Sequence, residues 1–438
     1  MGERGGARGS FVTTLRTAWP TLEHRYSTRA NGFGALRLLL ATTVLVAHAL
    51  PLGPGWPNLG YLESRTQADA GTVAVLGFFV VSGFLITGSG LKFSGPRFVW
   101  HRALRILPAY WVCLVVTAFA FAPIAALRER GTLAGLWTHP LSPQRYVLAN
   151  AFVNVGQGSI GGLLADNPFA RIVPGPGAFN GSLWTLAYEL ACYGLVAALA
   201  ATLVLRRAPR AVLLLAALGF LVLLNDFVHA DGWVTHPAWH GTLGPLPLFG
   251  ALSGRHLLYL GFAFLLGSAA YLYRDRLPMH GALAAVAGVG LTTCWLFGGF
   301  WAFGLPLLAY VVLYAAVAVP GRVQAVGRHR DYSYGIYVYA FPVSQLAALF
   351  GVARYGFPVY LAVVLAITVA LAALSWHLVE ERCLRLKDWS PRWWARRVRR
   401  AARAAPASVP ETAATHGAVG AESRRVPRPR EPMAPAPR

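Results

Sequence analysis

The sequence predicts an all-α fold, a polytopic transmembrane bundle of about ten helices with both termini on the cytoplasmic side. Three observations predict it. Apolar types make up 56% of the 438 residues and charged types only 13%, about half the charged share of a soluble domain. Apolar runs recur along the chain, most of them near the ~20 residues that cross a bilayer as helix. Arg and Lys collect on alternate connections between those runs.

The runs lie at about Ala35–Leu50, Val73–Gly88, Leu104–Ala125, Leu186–Leu205 and Ala211–Val228. Five more follow at about Leu257–Tyr273, Gly281–Phe297, Phe300–Val319, Tyr334–Phe350 and Val359–Val379. The first is short and meets Pro51-Leu52-Gly53-Pro54-Gly55, a strong helix stop. The pair flanking Gly298-Gly299 leaves the count open by about one. Connections after the second, fourth, sixth and eighth runs carry Lys92/Arg97/Arg102/Arg105, Arg206/Arg207/Arg210, Arg274/Arg276 and Arg322/Arg328/Arg330. The intervening ones are poor in Lys and Arg. The positive-inside rule then places both termini and every even-numbered connection in the cytoplasm.

Residues 1–30 read as a cytoplasmic N-terminal tail, with a short interfacial helix around Phe11–Trp19. Residues 31–385 form the transmembrane domain. Residues 386–438, rich in Arg, Ala and Pro, read as a disordered basic cytoplasmic tail. Ala47-His48-Ala49 mimics a signal-peptide cleavage site, but Arg37 interrupts the apolar stretch before it. No internal repeat of transporter type is visible.

The formal net charge is +22. Its distribution, between apolar runs and in the tails, fits topology rather than nucleic-acid binding, which needs a continuous basic face. Of the four cysteines, Cys113, Cys192, Cys294 and Cys383, the first three lie in apolar runs, and no pair has metal-ligand spacing. Reduced thiols and no metal site are expected.

Arg37 and His48 are the first candidates for chemistry. Eleven residues at about 100° each return to nearly the same helical face, roughly 16 Å further along the axis. They cannot touch on a straight helix, but they can serve two ends of one long ligand. Ionisable groups at membrane depth are costly and belong in a protein interior or wet cavity. The plainer alternatives are a snorkelling Arg and a boundary His. A neutral imidazole can take a proton from a hydroxyl nucleophile, and a guanidinium suits a phosphate or oxyanion.

Arg102 and Arg105 stand one turn apart at the mouth of the third span. They fit either the positive-inside rule or a clamp for an anionic cytoplasmic cofactor. Glu189 lies a few residues into the fourth run and needs a partner there. It either orients His48 or pairs with an Arg. Tyr334 and Tyr337 share a face of the ninth run, the next position on that face is Phe341, and an interfacial aromatic belt is the simpler reading. Ser82 and Ser182 are conceivable nucleophiles, but neither sits in a Gly-x-Ser-x-Gly elbow.

Together these segments resemble the membrane-bound acyltransferase-3 family, polytopic enzymes that transfer acyl groups, often acetyl, to sugars and other extracytoplasmic hydroxyls. The matching pieces run in order: Asn31 with Gly34-Ala35-Leu36-Arg37 and His48; Phe78-Phe79-Val80-Val81-Ser82-Gly83-Phe84-Leu85-Ile86; Arg102/Arg105 with Pro108 and Tyr110. Ser182-Leu183-Trp184 with Glu189 and Tyr193, Ser333-Tyr334-Gly335-Ile336-Tyr337, and Ser375 with Glu381-Arg382 complete the set. The resemblance covers about residues 31–385. Three positions depart from it: Ala340 stands where many members have His, His101 where Arg is common, and Cys383 where Pro is usual.

The resemblance implies an acyl-CoA donor, with acetyl-CoA the first candidate, and an acceptor hydroxyl on a glycan, cell-envelope polysaccharide or secreted metabolite. The expected setting is a bacterial plasma membrane, with lipid as the surroundings and no nucleic-acid partner. In this reading Arg102, Arg105 and Arg37 hold the donor's phosphates. His48 is the base, Glu189 supports it, and Ser182, Trp184 and Tyr334 contact substrate or support the site. Direct attack on the thioester and an acyl-histidine relay both remain open. The rival is a transporter using Arg37, His48 and Glu189 as a proton or solute relay.

Overall fold

A computed structural model of the chain describes residues 19–28, 30–60, 66–93, 95–166, 168, 178–229, 236–246 and 249–389. All ten apolar runs are helices in it. They are α1 (Phe33–Leu52), α2 (Ala70–Lys92), α3 (Gly95–Arg130), α4 (Trp184–Ala201) and α5 (Arg210–His229). After these come α6 (Gly254–Leu272), α7 (Gly281–Phe297), α8 (Phe300–Ala318), α9 (Ser333–Leu349) and α10 (Phe357–Ser375). Among the described residues, eight helices are long and apolar enough to cross a membrane, all but α7 and α9. The chain is therefore an all-α multi-pass membrane bundle. The one sheet is a small antiparallel hairpin, β1 (Thr242–Leu246) and β2 (Gly250–Ser253).

The expected stop at Pro51 comes two residues later than its proline. Pro51 is the penultimate residue of α1, and the helix closes with the Gly53 amide bonded to the Ala49 carbonyl at 3.0 Å. Helix α2 begins where Asp69 caps it, accepting from the Thr72 amide at 2.8 Å, which satisfies one of the free first-turn donors. Helices α3 and α8 each contain one π turn, at Thr117–Phe121 and Phe300–Gly304, and a third, Trp376–Glu380, continues directly from the end of α10. The connection between α3 and α4 holds a helix of its own, Pro143–Asn150.

Side chains on α5 and α7 show what surrounds the bundle. Leu214 and Val286 are each 69% exposed, a state that water would penalise and lipid does not. The interior is close-packed. Helices α2 and α6 meet backbone to backbone at Gly83 and Gly267. A Cβ at Gly83 would lie 1.9 Å from the Phe264 carbonyl oxygen, and one at Gly267 2.0 Å from that of Val80. This contact explains the glycine in the Ser82-Gly83-Phe84 segment: small residues let membrane helices approach closely.

The helix ends fall into two groups. The starts of α1 and α3, the connection after α8 and the end of α10 converge around one cavity. The end of α1, the connection before α2 and the starts of α4 and α6 converge around another. The described chain through Lys387 forms one compact unit. The expected Phe11–Trp19 helix, all of the 1–30 tail before residue 19 and the basic tail after residue 389 lie outside the described residues. All four cysteines are free thiols.

Candidate functional site

The first cavity, about 320 Å³, is cationic. Arg37, Arg102, Arg105, Arg328 and Lys387 line it against two carboxylates, Glu189 and Asp331. These cations are not equivalent. Asp331 Oδ2 pairs with Arg37 Nη2 at 3.0 Å and also with Arg105 Nη2. Arg105 Nη1 further meets Glu380 Oε2 at 3.2 Å, and its guanidinium lies 5.8 Å from the Trp376 ring centre. Asp331 and Glu380 are both buried, so this network is sheltered from the screening that weakens surface pairs. Burial alone would raise the Asp331 carboxyl. Arg37, Arg105 and two hydrogen bonds from Ser333 outweigh it and hold the carboxyl below its ordinary value.

Arg102 is different. It makes no hydrogen bond or ion pair with another described residue, and its Nε is buried without a partner. Its charge is uncommitted in a cavity that also exposes Lys387 and Arg328. His101, one residue earlier, faces away and meets the Lys387 carbonyl at 3.1 Å.

Glu189 belongs to this same cavity. It accepts from Ser82 Oγ at 3.0 Å and from Tyr193 Oη at 2.5 Å, with Arg102 in electrostatic range. The two openings left by the sequence thus separate: Glu189 stands with the arginines, and its hydrogen bonds go to Ser82 and Tyr193 instead of His48. Tyr334 lines the cavity too and donates to the Ile106 carbonyl at 3.0 Å.

His48 lines the second cavity, about 90 Å³, with Asn58, Asp69, Ser182 and Trp184. The ring packs edge-on against Phe341, centres 5.2 Å apart. Phe341 is in turn pressed by Gly181, where a Cβ would come within 2.5 Å of the phenyl ring. Buried His48 Nδ1 has no hydrogen-bond partner, although the Val44 carbonyl one turn back faces the ring. Asp69 is the carboxylate in this cavity, held by Asn58 Nδ2 at 3.1 Å and by the Thr72 amide. Ser182 Oγ is buried and unpartnered. Trp184 packs on His256 at 4.6 Å.

The two cavities share three lining residues, Val75, Thr185 and Tyr337. Arg37 and His48 thus lie on one helix but in adjoining chambers, with a thin wall between. In that wall Tyr337 Oη donates to the Ser182 carbonyl at 2.9 Å and meets Thr185 Oγ1 at 2.5 Å.

Several residues here escaped sequence reasoning. Asp331 looks like one acid in a basic connection, and only its place directly before α9 hints otherwise. Ser375 Oγ bonds Glu380 at 3.2 Å, whereas neighbouring Glu381 faces outward to Arg385 and His377. Tyr337, read as part of an aromatic belt, is buried between the chambers. Ala340 is buried and carries no group for proton transfer. Among the described residues no cluster of three or more His, Cys, Asp or Glu could hold a metal.

Comparison with known proteins matches residues 31–377 to the acyltransferase-3 family model, described as an acyltransferase domain. An O-acetyl transferase of Shigella phage Sf6 is 30% identical over 365 residues, covering 81% of this chain and 96% of its own. Nodulation protein 10 of Rhizobium leguminosarum bv. viciae is 30% identical over 393 residues, covering 84% and 96%. No solved structure matches significantly.

Proposed function

The chain belongs to the acyltransferase-3 family of membrane acyltransferases, and on that premise we propose that it moves an acetyl group from cytoplasmic acetyl-CoA to a hydroxyl of a cell-envelope glycan or secreted metabolite, in a bacterial plasma membrane. The observation that carries this reading is the pair of adjoining chambers, cationic at one end and holding His48 at the other, divided by three shared residues. A long anionic donor and a separate hydroxyl acceptor need such a division.

In this reading Arg102, with Lys387 and Arg328, takes the donor's phosphates, since an uncommitted guanidinium gains most from a phosphate. Arg37 and Arg105 shape the same chamber through Asp331 and Glu380. The thioester is carried toward the shared wall, and the acceptor enters the opposite chamber. His48 takes the acceptor's proton as the oxygen attacks the carbonyl carbon. The C–S bond breaks, and the proton passes to the leaving thiolate. Asp69 stabilises the imidazolium across the cavity, and Glu189 sets the field around Arg102. An acetyl group is supported by one relative, which is named an O-acetyl transferase.

The test is acetyl transfer by the purified full-length protein in liposomes. Labelled acetyl-CoA is supplied with a glycan and metabolite extract of the source cells as acceptor. Label should enter the extract, and His48→Ala should abolish this while folding normally. Full acetyl-CoA-dependent activity in His48→Ala would overturn the mechanism, and solute flux without coenzyme A would point to transport.

A further inference from the structure

The wall between the chambers contains a hydrogen-bonding arrangement with a spare partner. Tyr337 Oη, Thr185 Oγ1 and the Ser182 carbonyl oxygen lie in a closed triangle, at 2.5 Å, 2.9 Å and 3.5 Å. Two proton arrangements satisfy it. In one, Thr185 donates to Tyr337 and Tyr337 donates to the Ser182 carbonyl. In the other, Thr185 itself turns to that carbonyl. The carbonyl keeps a partner either way, so the phenol proton can leave without stranding a buried acceptor, the usual penalty for such a move.

The phenol borders both chambers, and Phe78 packs edge-on against its ring at 6.0 Å. With the Thr185 hydroxyl it lies in the wall where donor and acceptor must meet. His48 cannot stabilise the negative oxygen of the tetrahedral intermediate while it is accepting the acceptor's proton. Of the three residues the chambers share, Tyr337 and Thr185 carry hydroxyls, so a neutral donor at the wall can take that part.

We propose that Tyr337 is a catalytic residue, whose hydroxyl donates to the acyl carbonyl oxygen at the transition state while Thr185 takes over the Ser182 carbonyl. This inference rests on the acyl-transfer reading above. No proton is transferred by Tyr337. The new C–O bond forms, the C–S bond breaks, His48 carries the acceptor proton to the thiolate, and the phenol returns to Ser182.

The experiment measures kcat and KM for acetyl-CoA in the liposome assay. The variants are Tyr337→Phe, Thr185→Val and Thr185→Ser, with thermal midpoints recorded in parallel. Tyr337→Phe keeps the ring and should lower kcat about 100-fold or more, as loss of one oxyanion donor does, with KM unchanged. Thr185→Val should lower kcat about tenfold, because the phenol is then held by Ser182, and Thr185→Ser should restore it. Undiminished kcat in Tyr337→Phe, or equal rates in Thr185→Val and Thr185→Ser, overturns the proposal. Absence of acetyl-CoA turnover in the wild type would instead overturn the functional reading beneath it.

Discussion

Arg102 and Arg105 stand one turn apart on α3 and are indistinguishable in sequence, yet their replacement by Ala should give opposite phenotypes. Arg102 has no protein partner among the described residues. Removing it breaks no hydrogen bond or ion pair, and Glu189 keeps its bonds from Ser82 and Tyr193, so stability should hold. What is lost is a charge-assisted contact to a phosphate, worth about 1.5–3 kcal/mol, or roughly 10- to 150-fold in KM for acetyl-CoA with kcat retained. Arg105 bridges Asp331 and Glu380. Its removal leaves Glu380, 2% exposed, with only the Ser375 hydroxyl, while Asp331 keeps Arg37. Breaking one side of such a buried pair costs about 3–5 kcal/mol. Arg105→Ala should therefore lower the thermal midpoint in detergent and the yield of folded protein. A thiol-reactive dye reports unfolding through the buried Cys113 and Cys192, as a rise above the signal of the partly exposed Cys294 and Cys383. Equal KM increases in both variants, with both midpoints unchanged, would refute the distinction between a ligand-binding and a structural arginine.

Three further outcomes are expected. Gly181→Ala should drive a methyl group into the Phe341 ring and tilt the His48 imidazole behind it, cutting transfer more than donor affinity in a kcat-against-KM comparison. Because Asp331 titrates below its ordinary value, its stabilisation is present at neutral pH and lost only as pH falls through that lowered value. The midpoint difference between wild type and Asp331→Asn should shrink as pH falls below about pH 4. Gly83→Val should prevent the α2–α6 contact, so membrane-extracted protein should elute as aggregate in size-exclusion chromatography.

The helices were legible because bilayer thickness and charge asymmetry act on the sequence directly, and the start of α7 at Gly281 and its end at Phe297 match the reading by hydropathy. The shared face of Arg37 and His48 was also legible, since it depends on one helix only. Partners on different helices were not. Nothing in the chain says whether Glu189 meets His48 or Ser82, because 107 residues separate Ser82 from Glu189. Tyr337 carries the same sequence signature as a lipid-interface tyrosine, and its burial depends on Ser182 and Thr185 at the start of α4 and on Phe78 of α2. Glu380 was hidden for a different reason. At α-helical spacing, a residue five positions after Ser375 points to another face, so the pairing with Ser375 could not be read from periodicity.

That spacing has an evolutionary consequence. The π turn at Trp376–Glu380 holds one residue more than an α turn would. A lineage that lost a single residue between Ser375 and Glu380 would bring the two to four apart, which is α-helical spacing. A substitution of either residue has no such compensation. Descent through this part of the protein should therefore be recorded in chain length as well as in residue identity, with gains and losses of one position tolerated where replacements of Ser375 or Glu380 are not.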